Sequence, residues 1–144
     1  MNIIDVDGNI FHTINKYAMV HCIAQDAIMG AGIAKQFRSI YPDIQKSVRN
    51  QHPNLPDCIL YTDPDGRHIY NLVTKQSSYG KPTRDSLTQS LILLKPQIIA
   101  NQDKFLAMPL IGAGLDKLSW NVTRQTVTDL FADTGLRIAI YHYK

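Results

Sequence analysis

Short apolar runs alternate with longer helical patterns along this chain of 144 residues, and that alternation constrains the fold more than any single motif. Strands and helices in such an order pack as a sheet with helices on both of its faces. The length suits one domain with one hydrophobic core. We therefore predict a single α/β domain over residues 1–144, built on a mixed central sheet.

Six apolar runs are predicted to be strands because they are short and rich in β-branched or aromatic residues. The sequence Asp63-Pro64-Asp65-Gly66 is a strong turn signal, so the runs on either side of it are expected to form a hairpin. The predicted strands are Met1–Val6, Tyr17–Ile23, Cys58–Thr62, His68–Thr74, Phe105–Met108 and Arg137–Tyr143.

Three segments carry apolar residues at helical spacing. The first is expected to stop at Pro42 and the last to end near Gly135. Thr83 is placed to cap the start of the middle helix, and Pro96 lies inside it, so we expect that helix to kink or end there. The three stripes are Ile33, Phe37 and Ile40; Leu87, Leu91, Leu94 and Ile98; and Val127, Leu130, Phe131 and Thr134.

The composition is that of a globular soluble protein, with 44% hydrophobic and 19% charged residues. No apolar run approaches the roughly 18 residues needed to cross a bilayer, and the first residues lack a secretory pattern. Only Cys22 and Cys58 are present, which favours a reducing cytoplasm over a disulfide framework. The net charge of +3 suits an anionic small ligand and gives only faint support to nucleic acid.

Two glycine loops are the most informative segments: Met29–Ala34 and Pro109–Asp116. Each follows a predicted strand and precedes a predicted helix. Glycine lets the backbone turn tightly and lets amide N–H groups approach a ligand. A helix that begins just beyond adds unpaired N–H groups and a positive dipole end, which favour phosphate. Two such loops could hold the two phosphates of a diphosphate, although for either loop alone a simple turn is the favoured interpretation.

Other familiar sites are absent from the sequence. No Gly-Lys-Ser/Thr follows either loop, and Lys35 stands where a dinucleotide fingerprint has its third glycine. The adjacent His21 and Cys22 do not have metal-ligand spacing, and no Gly-x-Ser-x-Gly elbow is present. We therefore expect chemistry that needs neither a metal nor a cofactor. The residues taken locally indicate an anionic ligand at the loops and little more.

Three longer motifs, in order and in register, resemble one family. They are His21–Ala34, Ile69–Lys75 with Lys81-Pro82-Thr83 after it, and Pro109–Asp116. Together they are similar to the terminal ADP-ribose protein glycohydrolase branch of the macrodomains, and the likeness runs from about Asp5 to Tyr143. The resemblance implies a single three-layer α/β/α sandwich whose ligand, ADP-ribose, lies across the carboxyl ends of the strands.

The resemblance also implies roles for individual residues. Lys75 and Asp116 would be the catalytic pair: the lysine amine attacks C1″ of the distal ribose, and the aspartate helps resolve the adduct. Without the resemblance, Lys75 would be read as a solvated charge at a strand end and Asp116 as a residue at a helix start. The implied ADP-ribose contacts are Asn9, Ile10, Asp26, Met29, Gly30, Ala31, Gly32, Ile33, Ile111, Gly112, Ala113, Gly114, Leu115 and Tyr141.

Some of these positions depart from the family pattern or have another reading. Asn9 stands where many macrodomains have an aspartate that contacts the adenine amino group, and Ala24 replaces a serine common in this branch, so affinity is expected to be lower. Asp26 could lie near the distal ribose or could instead cap its own loop. Tyr141 could flank the adenine or simply pack against the sheet.

Function follows as a set of expectations. The first is a hydrolase that removes ADP-ribose from an ester-type or nucleobase linkage on a protein, a nucleic acid or a metabolite. The alternatives are an ADP-ribose-1″-phosphate phosphatase, an O-acetyl-ADP-ribose deacetylase, or a module that binds ADP-ribose without turning it over. We expect a cytoplasmic protein that does not associate with a membrane. The sequence does not set the oligomeric state, and we expect a monomer.

Overall fold

A six-stranded sheet forms the centre of the molecule, in the strand order β1-β6-β5-β2-β4-β3. The computed structural model describes residues 1–114 and 116–143. All neighbouring strands are parallel except β3, which runs antiparallel to β4 as the predicted hairpin. The mixed sheet is thus confirmed. The strands are β1 Asn2–Asp7, β2 Ala18–Ala24, β3 Asp57–Thr62, β4 His68–Lys75, β5 Phe105–Pro109 and β6 Arg137–His142.

Helices cover both faces of the sheet. On one face lie a short 3-10 turn, Ile10–His12, and the first two helices, α1 Gly32–Ile40 and α2 Ile44–Asn50. On the other face lie the two longer helices, α3 Arg84–Ala100 and α4 Trp120–Phe131. The predicted three-layer α/β/α sandwich is therefore what the chain forms.

The sheet is buried on both faces, so each central strand contributes to two apolar layers. In β2, Val20 packs toward α3 and α4, while its neighbour Met19 packs toward α1 and α2. Both side chains are fully buried. Burial of one such side chain stabilises the fold by about 1.5–3 kcal/mol. The two layers fix the distance between the sheet and the helices that carry the loops at its carboxyl edge.

Two helix ends depend on packing and on turn formation. Of the two outcomes expected at Pro96, a kink or an end, the end is ruled out because the helix continues to Ala100. Pro96 is exposed, while Leu94 and Ile98 on either side of it are buried, so core packing outweighs one missing backbone hydrogen bond. The last helix ends at Phe131 rather than near Gly135, because the hydroxyl and the N–H of Thr134 both donate to the Phe131 carbonyl and close a turn.

The sequence also missed α2 altogether. This helix has only seven residues, and its two buried positions, Ile44 and Val48, are too few to form a recognisable stripe. Thr83, by contrast, caps α3 as predicted: its hydroxyl accepts from the Ser86 N–H at 2.9 Å, and the Ser86 hydroxyl accepts from the Thr83 N–H at 3.0 Å. This reciprocal pair is a capping box.

A buried imidazole–amide pair joins the two central strands β2 and β4. His21 is fully buried and stacks on Phe37, with ring centroids 3.9 Å apart. The Asn71 amide nitrogen donates to the carbonyls of Ile59 and Ile69, which leaves its oxygen to accept from His21 Nε2 at 2.6 Å. His21 Nε2 therefore carries the proton, and Nδ1 finds no partner among the described residues. Burial lowers the pKa of His21 to about 4.

This histidine is expected to make folding sensitive to acid. The folded-state pKa, about 4, lies below the ordinary value of 6.5, so the unfolded chain binds the proton more readily and stability is lost as the pH falls from 6.5 toward 4. Between about pH 7.5 and about pH 5, His21 should account for a loss of about 2 kcal/mol in the free energy of unfolding. Urea unfolding at the two pH values measures this loss.

The control for this experiment is a histidine at an exposed position. His21→Gln keeps a donor toward Asn71 and should remove most of the pH dependence, whereas His12→Gln, at an exposed position, should retain it. An equal pH dependence in wild type and His21→Gln would contradict the assignment.

Candidate functional site

The parallel strands bring the predicted site residues to one edge of the sheet. Asn9 follows β1, Asp26 follows β2, Lys75 ends β4 and Gly112 follows β5. Tyr141 lies near the end of β6, opposite Pro109 in β5 and Val6 in β1. Because all five strands point the same way, their carboxyl ends form a common rim, which is where α/β sheets bind ligands.

Lys75 and Asp116 contact each other at this edge. Lys75 Nζ lies 2.9 Å from Asp116 Oδ1, and their side chains are only 16% and 15% exposed. Such a pair, largely withdrawn from water, is stronger than an exposed one and costs more to break. Asp116 lies in a turn and not at a helix start, so the simple reading of this residue was wrong. The pair connects the end of β4 to the loop that follows β5.

The end of β4 is fixed by its neighbours. The Ser86 hydroxyl of α3 donates to the Thr74 carbonyl at 2.6 Å, and the Gln25 N–H donates to the Lys75 carbonyl at 2.8 Å. These bonds hold the backbone on both sides of Lys75. The lysine is therefore presented from a rigid strand end, which suits a residue that must reach one reacting atom.

The pairing of β2 with β4 is irregular at this point. Ile23 lies opposite Val73, but Ala24 lies opposite Lys75, so Thr74 has no residue across from it. One extra residue on one strand is a β-bulge, which bends the strand and changes the direction of the side chains that follow it. The irregularity lies directly before Lys75, which is thereby placed beside Ala24.

Cys22 lies beside the Lys75–Asp116 pair and is partly buried. Burial and, to a smaller extent, the Asp116 carboxylate raise the pKa of its thiol to about 12, against a hydrogen bond from the Gly112 N–H and the positive charge of Lys75. A thiol with this pKa stays protonated and is a poor nucleophile. Cys22 thus behaves as a small apolar residue, as the sequence suggested.

Asp26 connects the first glycine loop to the segment that follows β4. Its Oδ1 accepts from the Ile28 N–H at 3.1 Å and from the Ser78 hydroxyl at 2.9 Å, and its Oδ2 accepts from the Ser78 N–H at 2.8 Å. Burial raises the pKa of Asp26, but the hydrogen bonds from Ser78 and Ile28, with the charge of Arg49, outweigh that effect and hold the pKa below its usual value. This geometry agrees with the loop-capping reading of Asp26.

The first glycine loop has an unusual backbone. Ala27 and Met29 have positive φ angles of 51° and 53°, and Gly32 has a φ of 58°. Residues other than glycine are strained in this region, and the strain persists only where the surroundings enforce it. Here the side chains of Ala27 and Met29 are buried in the layer beneath α1.

Two long side chains hold the same loop from outside. Gln45 Nε2 donates to the carbonyls of Ala27 and Ile28, both at 2.9 Å, and Arg38 donates to the Ile28 carbonyl at 3.0 Å. These hydrogen bonds satisfy the carbonyl groups of Ala27 and Ile28. The loop can therefore keep its amide groups for a ligand without leaving acceptors unpaired.

Helix α1 begins inside the first loop, as predicted. Its N-cap residue is Ala31, which offers no side-chain acceptor, so no side chain caps the first turn. The first N–H groups of a helix have no acceptor within the helix and carry a partial positive charge. Gly30, Ala31 and Gly32 are exposed here, so these donors are open to an anion.

The second loop differs from the sequence prediction. Helix α4 begins only at Trp120, so no helix N-terminus follows the glycines directly. Instead the Leu118 N–H donates to the Gly112 carbonyl at 2.6 Å and closes a compact turn. Gly112 has a φ of 74°, and a Cβ there would lie 2.9 Å from Leu87 Cδ2, so glycine is required. Gly114 is exposed with open space around it, Ala113 is half-buried, and Leu115 lies outside the described residues.

Several residues predicted to contact the ligand have side chains that are buried in the core. Ile10, Met29 and Ile111 are buried, so only their backbone groups can meet a ligand, whereas Ile33 is half-buried. Asn9 Oδ1 accepts from the Phe11 N–H at 2.9 Å and caps the 3-10 turn, which leaves it one lone pair for another donor. Tyr141 is half-buried against the α1/α2 side of the core, which agrees with the packing reading.

Sequence reasoning missed the residues that hold the site in place. Ser78, Ser86 and Gln45 act through hydrogen bonds to segments far along the chain, and no local motif marks such partners. Residues 1–114 and 116–143 contain no group of three His, Cys, Asp or Glu side chains that could hold a metal ion, and no helix among them is long and apolar enough to cross a membrane.

Comparisons with known proteins add to this geometry. No protein-family model matches the chain. The ADP-ribose glycohydrolase OARD1 of Bos taurus is 36% identical over 136 residues, which span 94% of this chain and 88% of the relative. The macrodomain of Mycobacterium tuberculosis DarG has a TM-score of 0.87 at 24% identity, over 96% of each chain. Thermosipho africanus DarTG in complex with ADP-ribose has a TM-score of 0.84 at 18% identity, over 99% of this chain and 42% of that one.

The fold and the sequence lead to the same family. The structural neighbours carry the macrodomain fold, and the relationship to OARD1 covers nearly the whole chain at a level of identity that shows common descent. The resemblance drawn from the three motifs is thereby confirmed. This chain belongs to the macrodomain family, in the branch that contains the ADP-ribose glycohydrolases.

Proposed function

We propose that this chain is an ADP-ribosyl hydrolase that releases ADP-ribose from an ester-type or nucleobase linkage. The observation that carries the proposal is the contact of Lys75 Nζ with Asp116 Oδ1, 2.9 Å apart at the carboxyl edge of the sheet. A module that only binds ADP-ribose needs the loops but has no use for this largely buried ion pair. The relatives named ADP-ribose glycohydrolase support the same activity.

The first loop and α1 are suited to the diphosphate of ADP-ribose. The N-terminus of α1 is uncapped, and its exposed Gly30 and Gly32 let a ligand approach the backbone closely. Phosphate oxygens at a helix N-terminus are stabilised by N–H groups and by the helix dipole together. The structural neighbour solved with ADP-ribose supports this choice of ligand.

Lys75 is the proposed nucleophile. Its neutral amine forms a bond to C1″ of the distal ribose while the bond from C1″ to the linked group breaks. The linked group leaves with the electron pair and takes up a proton, and the lysine nitrogen gives up a proton. Water then adds at C1″, the bond to nitrogen breaks, and free ADP-ribose and the lysine amine are restored. A covalent intermediate divides one difficult step into two easier ones.

Asp116 is the proposed partner in both steps. At 2.9 Å from Nζ it orients the lysine, accepts the proton that the nitrogen loses on attack and passes that proton to the departing group. In the second step the same carboxylate, ionised again, takes a proton from the attacking water and returns it to the lysine nitrogen as the bond to C1″ breaks. The linked group lies beyond the ADP-ribose contacts, so the modified target can be a protein, a nucleic acid or a metabolite. We place the reaction in the cytoplasm and assign it to a monomer.

The lysine mechanism is tested by Lys75→Ala. Loss of the nucleophile should lower turnover of glutamate-linked ADP-ribosylated protein on the order of a thousandfold or more, because groups that form a covalent intermediate have few substitutes. Binding of ADP-ribose, measured by calorimetry, should stay within about threefold of wild type, since Lys75 acts on the reacting atom. Lys46→Ala, an exposed lysine on α2, is the matched control and should turn over normally.

Asp116→Asn separates the two steps of the same mechanism. If the adduct is resolved through this carboxylate, the variant should accumulate ADP-ribose bound to Lys75, detectable by mass spectrometry of the intact protein. Full turnover by Lys75→Ala would exclude the lysine mechanism. Binding of ADP-ribose with no turnover by wild type of any ester- or nucleobase-linked substrate would leave a binding module.

Asp26 is expected to act through the loops that it joins. Asp26→Asn places an amide among three donors and should weaken ADP-ribose binding about tenfold, because a broken charge-assisted hydrogen bond costs about 1–3 kcal/mol. Ser78→Ala should shift binding in the same direction by a smaller factor. Asp65→Asn, at an exposed position in the hairpin turn, is the control. A large loss in Asp26→Asn with none in Ser78→Ala would mean that Asp26 contacts the ligand itself.

A further inference from the structure

A basic trough lies at the opposite edge of the sheet from the glycine loops. It is a cavity of about 440 Å³ at the amino ends of β1, β5 and β6. We define the basic trough by its three cationic side chains, Lys16, Lys104 and Arg137, and by the apolar Phe105 and Leu136 that form its floor. Cavities that hold small ligands usually measure about 300–1,000 Å³, so its size is adequate.

Lys104 and Arg137 are held together by the backbone of two adjacent strands, and Lys16 reaches them through a ring contact. Phe105 at the start of β5 lies opposite Arg137 at the start of β6, and the Arg137 N–H donates to the Lys104 carbonyl at 2.9 Å. Lys16 Nζ lies 4.4 Å from the centroid of the Phe105 ring, a cation–π contact that directs this lysine over the trough floor. Tyr17 also packs against this ring, with centroids 5.2 Å apart.

No carboxylate lines the trough among the residues that the structure describes. Two aspartates lie nearby, but both are engaged elsewhere. Asp103 accepts from His68 Nδ1 at 2.9 Å and from the Tyr70 hydroxyl, and Asp133 accepts from Lys95 at 2.8 Å. Three like charges around one cavity repel each other, and an anion between them relieves that repulsion.

We propose that the basic trough binds a phosphate group, as a phosphate monoester or a polyphosphate, at a site separate from the glycine loops. Arginine and lysine together are the usual partners of phosphate oxygens, the first through paired N–H donors and the second as a point charge. Phe105, which is only partly buried, gives the ester side of the ligand an apolar surface. The strand β5, five residues long, separates the two sites by roughly 15 Å.

The test is an NMR titration of the ¹⁵N-labelled chain with inorganic pyrophosphate, read at the amides of Phe105 and Leu136. These amides should shift and saturate, whether or not the glycine loops also respond, so the outcome does not depend on the proposed hydrolase activity. The variant Lys104→Gln/Arg137→Gln should raise the pyrophosphate concentration at half-saturation of these amides about tenfold, since two exposed positive charges that would pair with the phosphate are lost. Lys46→Gln, an exposed lysine on α2, should leave it unchanged.

Two competition experiments identify the kind of molecule to which the bound phosphate belongs. Displacement of pyrophosphate by AMP would assign the trough to a free nucleotide, and displacement only by a 5′-phosphorylated oligonucleotide would assign it to a nucleic acid end. Binding at Phe105 and Leu136 should also weaken with added salt, as expected for exposed charges. The proposal is overturned if these amides do not respond to pyrophosphate, or if the double variant binds as tightly as Lys46→Gln does.

Discussion

The parallel alignment of five strands is the constraint on which the rest of this molecule depends. Because β1, β6, β5, β2 and β4 all run the same way, every loop that follows a strand emerges at one rim, and every residue that precedes a strand lies at the other. The rim of carboxyl ends gathers Lys75, Asp116 and the first glycine loop. The opposite rim gathers Lys104 and Arg137. A single topological choice thus separates two regions of different chemistry.

Much of the fold was predictable from sequence. Strands and helices alternate clearly, the turn at Asp63–Gly66 marks the hairpin, and Thr83 marks the start of α3. The errors came where tertiary packing outweighed local preference. Pro96 disfavours a helix interior, but the buried Leu94 and Ile98 hold the helix around it. The helix α2 was missed because seven residues carry too little pattern.

The site was predictable only through its motifs. Glycines and strand ends indicated an anion, but nothing local joined Lys75 to Asp116, which lie 41 positions apart in the chain. The strained backbone at Ala27 and Met29 could not be foreseen, since neither residue favours a positive φ. Buried side chains below the loop and the donors of Gln45 and Arg38 beside it hold the backbone in this conformation.

Thr74, which has no partner residue in β2, makes the length of β4 important for the site. The register shift between β2 and β4 falls one residue before Lys75. The direction of the lysine side chain therefore depends on the number of residues between this shift and Lys75. Insertions in the hairpin turn at the far end of β4 leave that count intact, and that turn can vary in length at little cost. One residue added or lost in the last part of β4 would instead turn the lysine side chain to the other face of the sheet, although no functional side chain had changed. The number of residues in this part of β4 therefore matters as much as their chemical identity.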